Sequence, residues 1–218
     1  MIGPENPDAP GLSVREKRFE IVATLLLSLA ALATAWSGYQ ASVWDGIQSS
    51  NYSQAAAART EASQFRTEAN QFRLADLSVF QGFVDATASG DDERAAFYRD
   101  RFRPEFEIGF EAWVALDPFN DPSAPASPFM MDEYQLSQEA EATALDARAD
   151  ALFIEGEDAN TYSDVYTMAT LLFAVVLFFA AISERFDYVR VRIALLSLAT
   201  VGLLAGIVIA FGQPISTG

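Results

Sequence analysis

The chain has 218 residues, 51% of them apolar, and a net charge of −16. It contains no Cys and no His, which excludes disulfide frameworks, thiol catalysis, thiolate zinc sites and imidazole acid–base chemistry. Between Ser37 and Ser163 stand 8 Arg against 23 Asp and Glu, a balance that disfavours nucleic acid and suits cations or a basic patch on another protein.

Residues 1–12 carry Pro4, Pro7, Pro10 and Gly11 and read as an irregular arm. Ser13 and Glu16 have capping-box spacing for a helix start. Arg15, Lys17 and Arg18 close this arm (1–18) ahead of an apolar block at 19–36. Similar blocks lie at 164–183 and 189–211. Each is about 18–23 residues, enough to cross a hydrocarbon core of roughly 30 Å at about 1.5 Å per residue. The first block also fits a secretory signal, with Ala33-Thr34-Ala35 behind the apolar run; we read it as a retained span.

Trp36, Tyr39 and Trp44 follow span 1, and Tyr162 and Tyr166 precede or open span 2. Aromatic rings with a polar edge favour the headgroup layer, so these five are expected as interface anchors. Trp44 suits a core position nearly as well. Basic residues near the spans gather before span 1 and around the turn at 184–188 (Arg185, Arg190, Arg192). Three spans bring both groups to one side, and the positive-inside tendency makes that side cytoplasmic. The acidic region 37–163 is then extracytoplasmic, with a short extracytoplasmic tail at 212–218.

No proline interrupts Ser13–Phe102. Within it, Arg59-Thr60-Glu61-Ala62-Ser63-Gln64-Phe65 is followed directly by Arg66-Thr67-Glu68-Ala69-Asn70-Gln71-Phe72. With Ala55 at a, the seam reads Ala55/Ala58, Ala62/Phe65, Ala69/Phe72, Asp76/Val79 and Phe83/Ala86. Arg59, Arg66 and Arg73 take e; Glu61 and Glu68 take g. Asp76 breaks the apolar pattern and is expected to mark a loose, wet layer; the sharper alternative is an Arg partner or a cation.

Ser89-Gly90-Asp91-Asp92 ends this helix. A short helix is expected over 93–103, and Pro104 opens another through Leu116. Phe106, Phe110, Trp113 and Leu116 form its apolar stripe. Residues 117–131 make a proline-rich loop carrying Phe119, Phe129, Met130 and Met131. A helix from Asp132 to Glu155, with Ala142/Leu145/Ala149/Leu152 at a/d spacing, must return to the membrane. It is expected to pack antiparallel on the heptads, leaving their Arg and Glu flanks to neighbours. The fold class is therefore an all-α membrane protein: three transmembrane helices with a long antiparallel helical hairpin, or stalk, between spans 1 and 2.

Gly202 and Gly206 in span 3 form a GxxxG that allows close approach, either within the protomer or between molecules. No ionisable residue lies deep in a span, which argues against an ion-coupled carrier. Asp91-Asp92-Glu93 and Glu155-Gly156-Glu157-Asp158 lack calcium-loop spacing and read as solvated turns or helix starts. Tyr98, Arg99, Arg101 and Arg103 concentrate aromatic and basic character in an acidic region; they suit a binding surface, or Arg neutralising nearby acids while the rings face the core. No nucleotide loop, nucleophile elbow or metal triad appears, so no catalytic residue and no cofactor is assigned.

The stretches Ala35-Trp36-Ser37-Gly38-Tyr39-Gln40-Ala41-Ser42-Val43-Trp44, Phe97-Tyr98-Arg99 with Arg101-Phe102-Arg103-Pro104-Glu105-Phe106, and Ser127-Pro128-Phe129-Met130 with Glu133-Tyr134 resemble a family of uncharacterised bacterial three-span membrane proteins with an extracytoplasmic helical domain. The resemblance implies the same topology and a bacterial inner-membrane location, and no activity. The expected role is a non-enzymatic scaffold or accessory subunit that contacts lipid and docks an envelope protein or a second copy. The rival expectation is a homo-oligomeric cation channel with an acidic vestibule.

Overall fold

The structure is a computed structural model that describes residues 14–217. The arm at 1–12 and the Ser13 cap lie outside the described residues. Five α-helices account for most of the chain, and no strand occurs among the described residues. They are α1 (Val14–Ala88), α2 (Asp92–Arg99), α3 (Pro104–Val114), α4 (Ser137–Ser183) and α5 (Val189–Phe211). α1, α4 and α5 are long and apolar enough to cross a membrane. Two compact units divide the chain: one holds it up to Asn51 and again from Ile154 onward, the other is Tyr52–Phe153.

In the first unit, α1, α4 and α5 share a core in which alanines alternate with larger apolar residues. Ala23, Leu26 and Ala30 meet Ala169, Phe173, Val176 and Ala180, together with Leu196, Ala199, Leu203 and Ala210. The buried positions of α5 (196, 199, 203, 206, 210) step by three and four, the spacing of left-handed supercoil packing. Large aliphatic side chains point the other way: Leu32, Leu171, Val201 and Val208 are exposed. Alanine at the close contacts and exposed large aliphatic residues outside suit helices that face lipid. Gly206 is buried because the Phe173 ring occupies the space a Cβ would need, and Gly202 faces Val176 Cγ2. The GxxxG thus serves packing of α5 on α4 inside this protomer.

In the second unit, α1 and α4 meet along Ala55, Ala58, Ala149 and Leu152. Ala62, Ala69 and Ala142 continue the buried line. A cap of aromatic residues follows, where Phe80 of α1 meets Phe106, Phe110 and Trp113 of α3 and Tyr134 and Leu136 of the segment before α4. Rings pack mostly edge to face, with Phe83 against Phe110 at 5.2 Å and Phe102 against Phe106 at 4.9 Å.

Helix ends have local causes. Gly90 takes a left-handed φ of +71°, and the bonds Gly90 N–H to Thr87 O and Asp91 N–H to Ala86 O complete a Schellman closure of α1. Asp91 then caps α2 by accepting from Arg94 N–H at 3.0 Å. α2 stops at Arg99, four residues before the expected end. Arg103, which precedes Pro104, is held extended at ψ 148°, so turns at 100–102 must connect the two helices. α4 starts at Ser137 rather than Asp132. Tyr134 and Leu136 turn into the aromatic core from an irregular segment, and a helix there could not bury both.

Candidate interaction surface

The e-position arginines do not project to neighbours. Arg59 reaches Asp150 at 3.2 Å, Arg66 pairs with Asp146, and Arg73 reaches Glu139 at 2.6 Å. These partners run in opposite order along α1 and α4. The expectation that these flanks serve other molecules is therefore corrected for the arginines: α4 supplies carboxylates at the matching heights. Arg59 also lies 5.3 Å over the Phe153 ring. Glu61 and Glu68, on the other flank, are exposed and form no ion pair among the described residues.

Asp76 is not in a wet layer. It is 2% exposed, accepts from Tyr134 OH at 2.9 Å and pairs with Arg103 at 3.1 Å. The wet-layer reading fails because the segment before α4 and the Arg103 turn, both distant in sequence, close over it. Burial pushes the Asp76 carboxyl above its ordinary value, opposed by the Tyr134 hydroxyl and the Arg103 guanidinium. Burial and the adjacent carboxylate push the Tyr134 phenol well up. Arg103 also pairs with Glu105 at 3.1 Å and lies 4.1 Å over the Phe72 ring. This network ties α1, α3 and the entry to α4 together.

The remaining candidates at this end divide. Arg99 pairs with Glu111 and covers Phe110, and Arg101 stacks on Phe97 at 3.4 Å. Tyr98 packs its ring where a Gly82 side chain would stand, pinning α2 to α1. Phe129 stacks on Phe106 at 5.0 Å as part of the core. These residues build the cap. Phe119 differs: it is 65% exposed and touches Trp113 only by an edge contact at 5.7 Å. Ile108 on α3, Leu116 in the turn after it, and Met130 on the short 3-10 helix Pro128–Met130 that packs against α3 are exposed as well.

A second polar site lies in the first unit. Gln40 is buried, and its amide donates to Ser216 O at 2.9 Å while its carbonyl accepts from Ser216 N–H at 3.0 Å. Trp44 Nε1–H and Tyr166 OH both donate to Pro214 O, at 3.2 and 3.3 Å. Ser163 donates to Ala41 O and Gln48 to Asn160, so a polar layer joins α1 to α4 beside the clasped tail. Of the expected interface anchors, Tyr39 is exposed, Trp36 stacks on Phe211 at 5.3 Å, and Trp44 rests on Tyr162 at 4.8 Å. Tyr166 is fully buried and is a core residue, because its hydroxyl finds Pro214 inside the bundle instead of a headgroup. Sequence reasoning missed Gln40 and the tail. The signal was present: in α1 the buried positions 23, 26, 30, 37 and 40 extend a three-four spacing well upstream of Ala55.

Among the described residues, no cluster of three or more Asp and Glu is placed to hold a metal ion. No family model, curated protein or solved structure matches the chain.

Proposed function

We propose that this chain is a non-enzymatic scaffold or accessory subunit of a bacterial inner membrane, with the soluble unit outside the cytoplasm and docked to another envelope protein. In this reading α1, α4 and α5 are the spans, the N-terminus is inside, and the α1/α4 pair of the soluble unit forms a hairpin stalk bearing the aromatic cap. The charge asymmetry of the flanks, the large aliphatic residues exposed on three helices long and apolar enough to cross a membrane, and the resemblance to three-span bacterial membrane proteins support it.

One observation carries the docking role. Ile108, Leu116, Phe119 and Met130 are exposed over a core of interlocked rings. Exposed large apolar residues on a rigid platform are the usual composition of a protein-binding patch. The test is a photo-crosslinker at Met130 in native membranes. The reading expects one defined adduct, lost in a Phe119→Asp variant. It fails if no adduct forms and the purified protein, alone as a closed oligomer, conducts ions in bilayers.

A further inference from the structure

The end of the first unit where α1 begins and α4 turns into α5 has the opposite charge to the rest of the chain. Residues 15–20 and 184–192 carry six Lys and Arg against four Asp and Glu, whereas the remaining residues carry eight against 26. In the second unit Arg59, Arg66, Arg73, Arg99 and Arg103 each have a carboxylate partner. At this end Lys17, Arg18, Arg185, Arg190 and Arg192 form no ion pair among the described residues.

Arg192 is the one of these that water does not fully reach. The other four are exposed, whereas Arg192 is partly buried and its Nε is enclosed without a hydrogen-bond partner. Its guanidinium lies 5.2 Å over the Phe19 ring and donates to no group among the described residues. A guanidinium has five N–H donors, and a cation withdrawn from water without an acceptor is costly. Phe19 also lines a groove of about 410 Å³ between α1 and α5, formed with Val22 of α1 and Ile193, Ser197, Thr200 and Val201 of α5. The Thr200 hydroxyl is spent on Leu196 O at 2.8 Å, so that wall is apolar. From Ile193 to Val201 the groove follows α5 for about 12 Å.

We infer that this groove is a site for an anionic phospholipid, with the lipid phosphate on Arg192 and an acyl chain along the groove. The inference rests on the membrane reading and goes beyond it by naming a lipid and its seat. An unsatisfied guanidinium at the end of an apolar cleft matches a phosphate joined to a hydrocarbon chain, and Arg takes phosphate through two parallel hydrogen bonds. Basic pockets between membrane helices are where anionic headgroups bind. The exposed Lys17, Arg18 and Arg190 select the headgroup: they repel the ammonium of a zwitterionic lipid and favour one with net negative charge. Free phosphate would satisfy Arg192 and leave the groove unused.

The full chain is placed in nanodiscs of equal parts phosphatidylglycerol and phosphatidylcholine and ejected for native mass spectrometry. One retained phosphatidylglycerol is expected, preferred over phosphatidylcholine roughly tenfold, the scale of one charge-assisted hydrogen bond. Arg192→Gln should abolish the preference, and Arg190→Gln, an equal loss of charge at an exposed site, should keep it. Ser197→Phe fills the groove from an exposed position and should lose the retained lipid with Arg192 intact. Excess inorganic phosphate should leave the lipid in place. Equal retention of the two lipids by the native chain overturns the inference, as does equal loss in Arg190→Gln and Arg192→Gln, which would mean diffuse attraction. Displacement by inorganic phosphate, or retention unchanged in Ser197→Phe, overturns it too. Release of the chain from membranes by an alkaline wash would overturn the membrane reading itself, whereas these results in a chain that stays bound overturn the lipid site alone.

Discussion

Asp76 shows how one residue joins distant segments. Its carboxylate is buried, and Tyr134 and Arg103 supply the donors that make an ionised group tolerable there. Asp76→Ala leaves the Tyr134 hydroxyl without its acceptor and Arg103 with Glu105 alone. A loss of about 2–3 kcal/mol in unfolding stability at neutral pH is expected, read by denaturation in detergent. Asp76→Asn isolates the charge. Because burial raises the native pKa of Asp76 above its unfolded value, the native state holds its proton more tightly. The stabilisation linked to that proton is complete below the ordinary carboxylate range, about pH 4, and is lost as pH rises through the raised native pKa. The native chain should therefore gain stability relative to Asp76→Asn as pH falls from about 7 into the carboxylate range. A gap that is flat or shrinks in that window would contradict the assignment. Gln40 is the counterpart in the first unit: one amide satisfies both the N–H and the C=O of Ser216, which fixes a segment that has no regular structure of its own.

At the scale of elements, the α1/α4 contact is narrow because it is built from alanine. Ala55 and Ala58 pack with Ala149, and Ala62, Ala69 and Ala142 are buried along the same line. The ion pairs at Arg59, Arg66 and Arg73 flank this seam at exposed positions, so each contributes little and mainly sets register. Ala62→Leu should cost about 1–3 kcal/mol by overpacking, measured as a lower melting temperature of the helices of the second unit. An equally sized change at exposed Ala57 should leave the melting temperature within error. The seam was legible in the sequence as a heptad. Its partner was legible too, because Ala142 and Ala149 repeat the spacing. The arginines were misassigned: a flank position says that a side chain borders a seam, and only the height of Asp150, Asp146 and Glu139 on α4 decides whether the charge is already satisfied.

For the whole molecule, three apolar helices and a −16 charge concentrated in one region set the expected topology. Single cysteines test it directly. Glu93→Cys, at an exposed position of α2, should react with a membrane-impermeant maleimide added to spheroplasts, whereas Asp187→Cys should react only after the membrane is permeabilised. The reverse pattern would place the acidic region in the cytoplasm and overturn the orientation. Exposed Phe119 and Met130 would then face cytoplasmic rather than envelope partners.

The sequence by itself determined the all-helical class, the three apolar segments, the heptad seam and the break at Gly90. Each depends on local spacing, apolar length or a single residue's backbone freedom, and such features survive without knowledge of the fold. Tertiary structure alone decided that Asp76 is dry, that Tyr166 is core, that Gly206 packs within the protomer and that Gln40 holds the tail. Those facts depend on groups separated by 27 to 176 residues along the chain, such as Asp76 with Arg103 and Gln40 with Ser216, and no periodicity in one segment encodes what closes over it.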